Sequence, residues 1–361
     1  MIPMRILVAL FLLLVTVSLV YIRNDYTYQT QITKSSQPPK PQDATLTPLP
    51  SAYSDKQSIP YILLQNPHYQ QAGLIETDPF THAEYTTNAI EALVNIYCTV
   101  TTERSLRTTT GSGFFISPHG VILTNAHVAH TLLLEELEGY GSSDCIIRSG
   151  DPALKQYRAE ILYLPPSWIM ENASALATEH PVGTGERDYA LLYVTETLNN
   201  EPLPARFPSL AYNTDLLSRE TIGDTVTVAG YPVADDLTDL TVLQPRQAST
   251  TVTNLFTFGS NYADVISLGG TVVGAYGSSG GPVLNASGSV TGLITTRGDD
   301  QNDGAGSLRA ITLSYIDRTI KQETGFSLTQ STQGALRFRA QVFKDTLVPF
   351  MSTWLARELY Y

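Results

Sequence analysis

Six consecutive residues, Gly277-Ser278-Ser279-Gly280-Gly281-Pro282, follow neither a helical nor a strand pattern but suit a catalytic turn. Three glycines around two serines permit positive φ angles and close approach by a bound chain, which any Cβ would resist. On such a turn the Ser279 hydroxyl faces outward. Gly277, Ser278 and Ser279 then enclose a small concavity into which the amide N–H groups of Gly277 and Ser279 point. Donors converging in this way would hold an oxyanion. A serine hydroxyl alone is a weak nucleophile, so the chemistry demands a general base and a group that orients it, both from elsewhere in the chain. Gly/Ser/Pro clusters also make ordinary surface loops, and the assignment therefore rests on finding both partners.

The chain has six histidines: His68, His82, His119, His127, His130 and His180. His127 alone has a setting that fits a base. It lies near the end of the run Gly111-Ser112-Gly113-Phe114-Phe115-Ile116-Ser117-Pro118-His119-Gly120-Val121-Ile122-Leu123-Thr124-Asn125-Ala126-His127-Val128, which reads as a hairpin whose second strand leads into a short turn carrying the imidazole. A ring delivered from the end of a rigid strand can be held within reach of a nucleophile. A satisfied structural histidine is the alternative. The acid is Asp188, heading the apolar run Arg187-Asp188-Tyr189-Ala190-Leu191-Leu192-Tyr193-Val194. There a carboxylate can lie half buried beside an imidazole N–H, fixing its tautomer and stabilising the imidazolium. An aspartate in that place also makes a plain turn.

The elements that must bring these side chains together are mostly strands. Tyr, Thr and Val are plentiful, glycine and proline are scattered throughout, and long amphipathic helical patterns are scarce. Strand-like runs cover Asn95–Val100, Gly113–Ile116, Val121–Thr124, Cys145–Arg148, Ala159–Leu164, Tyr189–Val194, Thr225–Ala229, Thr250–Phe258, Asp264–Ser267, Pro282–Leu284, Val290–Thr295 and Leu308–Thr312. Short strands at such spacing predict an all-β fold, a pair of packed barrels or a sandwich rather than a parallel sheet. Helical spacing occurs over 85–94, over Ser314–Glu323 just before Gly325, and over Ala335–Tyr360, where Pro349 interrupts it.

The ordered set GSGFFIS…GVILTNAHV, RDYALL, GYP at Gly230–Pro232 and GSSGGPVLN resembles the trypsin-like serine peptidase superfamily, closest to its bacterial Deg/HtrA-type branch. The resemblance covers roughly residues 90–320. It implies two six-stranded antiparallel β-barrels with flanking helices and a cleft between them. It also implies a triad of His127, Asp188 and Ser279, an oxyanion hole at the serine loop, protein or peptide substrates, and neither metal nor organic cofactor. Digestive relatives carry an aspartate where this chain has Ser278, so activation through an ion pair to a new amino terminus is not expected. Val273 stands where trypsin-type members have the pocket aspartate, which points to cleavage after small or medium apolar residues, since a buried Lys or Arg would find no countercharge. Thr295 and Thr296 resemble the strand that pairs with substrate, with Arg297 at the pocket rim. No room is left for the PDZ module that typical Deg/HtrA proteins append.

Outside that region the chain changes character. Residues 6–22, ILVALFLLLVTVSLVYI, are uncharged and bracketed by Arg5 and Arg23. This run is at the short limit for a membrane-spanning helix and lacks a convincing cleavage site, which points to an uncleaved signal anchor over 1–22; a cleaved signal peptide is the alternative. A Pro/Gln/Ser/Thr-rich linker over 23–84, the peptidase domain over 85–325 and a helical tail over 326–361 complete the expected plan. The reading is thus of a single-pass membrane protein with an extracytoplasmic catalytic domain. Export makes a Cys98–Cys145 disulfide the expectation over two buried thiols. With 34 acidic against 22 basic residues the net charge is −12, which does not favour nucleic acid or anionic lipid as a partner. The acidic run Asp299–Gly304 reads as a solvated loop rather than a calcium site. A descendant of the same fold without activity, serving as an anchored peptide-binding scaffold, is the rival function, and an esterase would share the same machinery.

Overall fold

β-Branched and aromatic runs separated by turns fold as strands throughout the computed structural model, which describes residues 47–48, 61–74, 85–101, 106–136, 142–176, 184–233 and 242–360. After the two-residue strand Thr47–Pro48 (β1), the chain forms β2 (Leu93–Thr101), β3 (Leu106–Ser117), β4 (Val121–Thr124), β5 (Ser142–Ser149), β6 (Leu154–Tyr163) and β7 (Ala190–Thr197). These six pair in the order β2-β3-β4-β7-β6-β5, and β5 returns to β2 to close a barrel in which every pairing is antiparallel. A second set follows: β8 (Thr225–Gly230), β9 (Arg246–Thr257), β10 (Val265–Leu268), β11 (Pro282–Leu284), β12 (Val290–Arg297) and β13 (Leu308–Thr312). They run β9-β10-β13-β12-β11-β8 and close through β8 on β9, with β1 laid parallel outside β9. The expected pair of six-stranded antiparallel barrels is therefore present. Closure removes the unpaired edges that an open sheet would expose.

Apolar side chains fill both barrels. Leu93, Ile96, Phe114, Ile122, Leu123 and Leu191 are buried in the first, and Val228, Leu268, Val283, Ile294 and Ala310 in the second. The larger of these gain roughly 1.5–3 kcal/mol each by leaving water. Cys98 and Cys145 are register partners where β2 meets β5, and their sulfurs are bonded, so a disulfide fastens the seam that closes the first barrel.

The helices are α1 (Tyr61–Gln65), α2 (Pro67–Gly73), α3 (Ala89–Ala92), α4 (Ala126–Ala129), α5 (Pro166–Leu176), α6 (Asp300–Asp303), α7 (Leu313–Thr324), α8 (Leu328–Ser331), α9 (Leu336–Thr346) and α10 (Val348–Tyr360). Only one turn of the helix expected over 85–94 forms. Asn88 caps it by accepting the Ile90 N–H at 3.1 Å, and Leu93 and Val94 already pair with Phe114 and Gly113 of β3. Pro349 sits near the start of α10, where its missing N–H is harmless, instead of interrupting one long helix. α7 begins at the Thr312 cap, ends at Gly325 in the left-handed region, and touches both barrels. Its Arg318 pairs with the fully buried Asp264 ahead of β10, and its Glu323 pairs with Arg187 ahead of β7.

The linker expectation is corrected in part. Residues 61–73 are helical and packed, because Tyr69 of α2 is fully buried against α9. Arg339 of α9, itself fully buried, donates to the Tyr69 hydroxyl at 3.1 Å and to the Gln330 carbonyl at 2.9 Å. Its guanidinium carbon lies 5.0 Å from the ring centres of Tyr69 and Phe326. Buried Leu63, Tyr69 and Ala72 thus dock this stretch on the rest of the fold. The anchor expected over 1–22 lies outside the described residues, as does most of 23–60. Among the described residues no helix is long and apolar enough to cross a membrane.

Replacing both cysteines, as Cys98→Ser with Cys145→Ser, removes a cross-link spanning 47 positions and is expected to cost about 4 kcal/mol of folding free energy. Urea denaturation monitored by circular dichroism measures it; an unchanged midpoint would refute a stabilising role for the bridge.

Candidate active site

His127 is the second residue of α4, the turn that follows β4. Its ring is one-third exposed, and Nδ1 lies 2.7 Å from Asp188 Oδ2. A carboxylate accepts, so Nδ1 carries the proton and Nε2 keeps its lone pair. The other carboxylate oxygen accepts the His127 backbone N–H at 2.9 Å, one of the donors that the start of a helix leaves without a partner. Asp188 therefore fixes both the ring and the backbone that carries it, while only 4% exposed itself. Burial works against the imidazolium, but the charge of Asp188 and its hydrogen bond outweigh this and raise the His127 pKa above its ordinary 6.5.

The serine loop is stapled to the strands that deliver His127. Ser112 of β3 donates its N–H to the Ser279 carbonyl at 2.7 Å and its hydroxyl to the Gly277 carbonyl at 2.7 Å, while accepting the Tyr231 N–H at 2.8 Å. The Ser112 carbonyl in turn accepts the Thr124 hydroxyl at 2.7 Å, three residues before His127. Gly280 makes this closeness possible. Its φ is +88°, and a Cβ there would lie 1.9 Å from the Ser112 carbonyl oxygen and 2.6 Å from Thr124 Oγ1. Asn125, fully buried, ties the remaining pieces together by donating to the Asp188 carbonyl at 2.8 Å and to Thr295 Oγ1 at 3.3 Å.

The Ser279 hydroxyl donates to the Thr295 carbonyl at 3.3 Å, and among the described residues no hydrogen bond joins it to His127. The Gly277 and Ser279 amides have no protein acceptor among the described residues. The Ser278 amide donates to the Ala275 carbonyl at 3.3 Å, and its buried hydroxyl donates to the Val273 carbonyl. Two of the three loop amides are thus without a protein acceptor among the described residues.

The residues expected to contact substrate differ in exposure. Thr295 is buried at a bulge in β12, Thr296 is partly buried, and Arg297, 70% exposed, pairs with Asp300 at 3.0 Å. Val273 belongs to the apolar core of the second barrel and is fully buried. Beside it, a Cβ on Gly274 would fall 1.8 Å from the Gly306 carbonyl oxygen, so the segments 270–274 and 304–306 touch backbone to backbone. The acidic run caps and staples its own loop. Asp299 accepts the Gln301 N–H at 3.0 Å, Asp300 the Ser307 hydroxyl at 2.9 Å, and Asp303 the Ser267 hydroxyl at 2.9 Å.

Of the other histidines, His68 lies on α2 and His119 in the β3–β4 turn, while His82 and His180 are outside the described residues. Sequence reasoning passed over His130, whose Nδ1 donates to the His127 carbonyl at 2.7 Å. Burial lowers its pKa to about 4. Ser112, Thr124 and Asn125 were also missed as structural partners. They stand in the motif that singled out His127, but nothing local shows which strand they will face.

Two closed antiparallel barrels, with an imidazole–carboxylate pair and a serine loop stapled together where they meet, constitute a serine peptidase fold. Residues 111–293, just over half of the chain, match the family model described as the trypsin-like peptidase domain, and the chain belongs to that family. No curated protein matches the chain.

The raised His127 pKa has a defined consequence. As pH falls the ring gains its second proton at a pH above 6.5, so the neutral form able to accept a proton is lost there. Asp188→Asn removes the raising charge and leaves the burial that lowers the pKa, so the titration moves to lower pH. Histidine ring NMR across pH 4–9 follows it; an unshifted midpoint in Asp188→Asn would contradict the pairing.

Proposed function

We propose that the chain is a serine endopeptidase in which Ser279, His127 and Asp188 act as nucleophile, base and orienting acid. The observation that carries this reading is the buried carboxylate on His127 Nδ1 at 2.7 Å, next to a serine loop with two unclaimed amides. Ser279 Oγ attacks the scissile carbonyl carbon as His127 Nε2 takes its proton, and the oxyanion settles on the N–H groups of Gly277 and Ser279. His127 then gives that proton to the leaving amine as the C–N bond breaks. A water molecule repeats the sequence on the acyl-enzyme, and its proton passes through His127 back to Ser279. Productive binding has to turn the hydroxyl from Thr295 towards the imidazole, a tightening common when substrate binds. The rival inactive scaffold draws its support from that same Ser279–Thr295 bond.

The specificity we assign is for small or medium apolar residues. Uncharged Val273 offers no partner to a cationic side chain, and the backbone contact of Gly274 with Gly306 beside it favours small side chains there. Ser278 spends its hydroxyl inside the loop and carries no charge to receive a new amino terminus, so activity requires no such processing. The motif around His127 favours the Deg/HtrA-type branch. The apolar run over 6–22 and the Cys98–Cys145 bridge support an anchored, extracytoplasmic domain.

A fluorophosphonate probe is expected to label the native protein at Ser279 and to leave Ser279→Ala unlabelled; absence of labelling in the native protein favours the scaffold. A peptide library should be cleaved faster after Ala or Val than after Arg, and the reverse preference would overturn the assigned specificity.

A further inference from the structure

We propose that one face of α7 is the cradle that positions Asp188, with Tyr315, Thr319 and Glu323 holding the residues on either side of it. The inference rests on the peptidase reading for its functional meaning, though not for its geometry. Tyr315, Thr319 and Glu323 are four residues apart and so share one side of the helix. The Tyr315 hydroxyl accepts the Arg187 N–H at 3.1 Å. Thr319 Oγ1 and the Tyr189 hydroxyl share a hydrogen bond of 2.8 Å. Glu323 pairs with the Arg187 guanidinium and accepts the Tyr163 hydroxyl of β6. Both chain neighbours of Asp188 are thus held by the same helix face.

Two features set this arrangement apart from ordinary packing. Arg187 has φ +56°, in the left-handed region that a non-glycine residue occupies only where its surroundings impose it. Its partners are also out of water: Arg187, Tyr189, Tyr315, Thr319 and Glu323 are all buried. A buried ion pair is a weak source of net stability but is strongly disrupted when one member is removed, so it defines a geometry better than it stabilises one. A shift in Arg187 is transmitted through one peptide unit to Asp188, whose two oxygens hold the ring and the backbone of His127. The three α7 residues touch no reacting atom and are positioning residues.

The charged and titratable groups around Arg187 are Glu323, Tyr163, Tyr315, Tyr189, Glu186 on its own loop and Glu171 on α5; those around His127 are Asp188 and His130. Burial keeps the Tyr163 and Tyr315 hydroxyls well above their ordinary value, and His130 near 4, so none of these three changes charge where His127 titrates.

The test uses the full chain with Glu323→Gln, which keeps shape and removes charge, and Tyr315→Phe, which removes one oxygen and serves if the first variant does not fold. The readouts are the His127 ring titration by NMR, the rate of fluorophosphonate labelling and the melting temperature. We expect the His127 midpoint to fall in both variants and labelling to slow roughly 10- to 100-fold, as displacement of a catalytic group by about 1 Å would cause. A lowered melting temperature with the His127 titration and the labelling rate both unchanged would overturn the cradle. If the native protein does not label at all while the variants still lower the His127 midpoint, the cradle stands and the peptidase reading falls.

Discussion

A carboxylate removed from water must be satisfied on both oxygens, and Asp188 meets that demand through one residue, accepting the backbone N–H of His127 with one oxygen and its ring Nδ1–H with the other. This doubled contact fixes the tautomer, the orientation of the ring and the start of α4 together. It also constrains what surrounds it. The residues before and after Asp188 have to be held, the turn bearing His127 has to stay at the end of β4, and the loop bearing Ser279 has to approach that turn without displacing it.

The approach of the serine loop is a backbone problem solved by hydrogen bonds to the main chain, from the Ser112 N–H and from its hydroxyl. Ser112 uses its N–H, its carbonyl and its hydroxyl to join Ser279, Thr124, Gly277 and Tyr231, which belong to three separate parts of the chain. No side chain can stand between Gly280 and Ser112, and this is the physical content of a glycine at that position. The barrels therefore meet at the site through hydrogen bonds made by main chain and by the short side chains of Ser112 and Asn125, while apolar contact holds them together elsewhere.

Stability of the surroundings comes from closure rather than from size. Each barrel ends its sheet on itself, and the first carries a disulfide across the joining pair of strands. α7 spans the two through Arg318 to Asp264 and Glu323 to Arg187. Beyond it α10 reaches back to the segment after α4, where the Ser352 hydroxyl donates to the Leu133 carbonyl at 2.8 Å. Helix α2 is joined to α9 by Arg339, whose guanidinium carbon lies 5.0 Å from the ring centres of both Tyr69 and Phe326.

Much of this was legible in the sequence because it is local. Runs rich in β-branched and aromatic residues, with the turn residues between them, locate the strands, a glycine-rich turn marks the serine loop, and the residues around His127 and Asp188 carry their own setting in a few neighbouring positions. Other features belong to no single stretch. That Val273 lies in the barrel core and that Thr295 receives the serine hydroxyl are decided by which strands lie opposite one another. The same holds for Tyr69, which turns part of a polar linker into packed helix, and for the face of α7 around Asp188. Sequence alone determined the inventory of reacting groups and the strand-rich class of the fold, since both follow from residue type and short-range spacing. Their distances, their burial and their partners came only from tertiary structure, because a hydrogen bond between residues a hundred positions apart leaves no trace in the spacing of either.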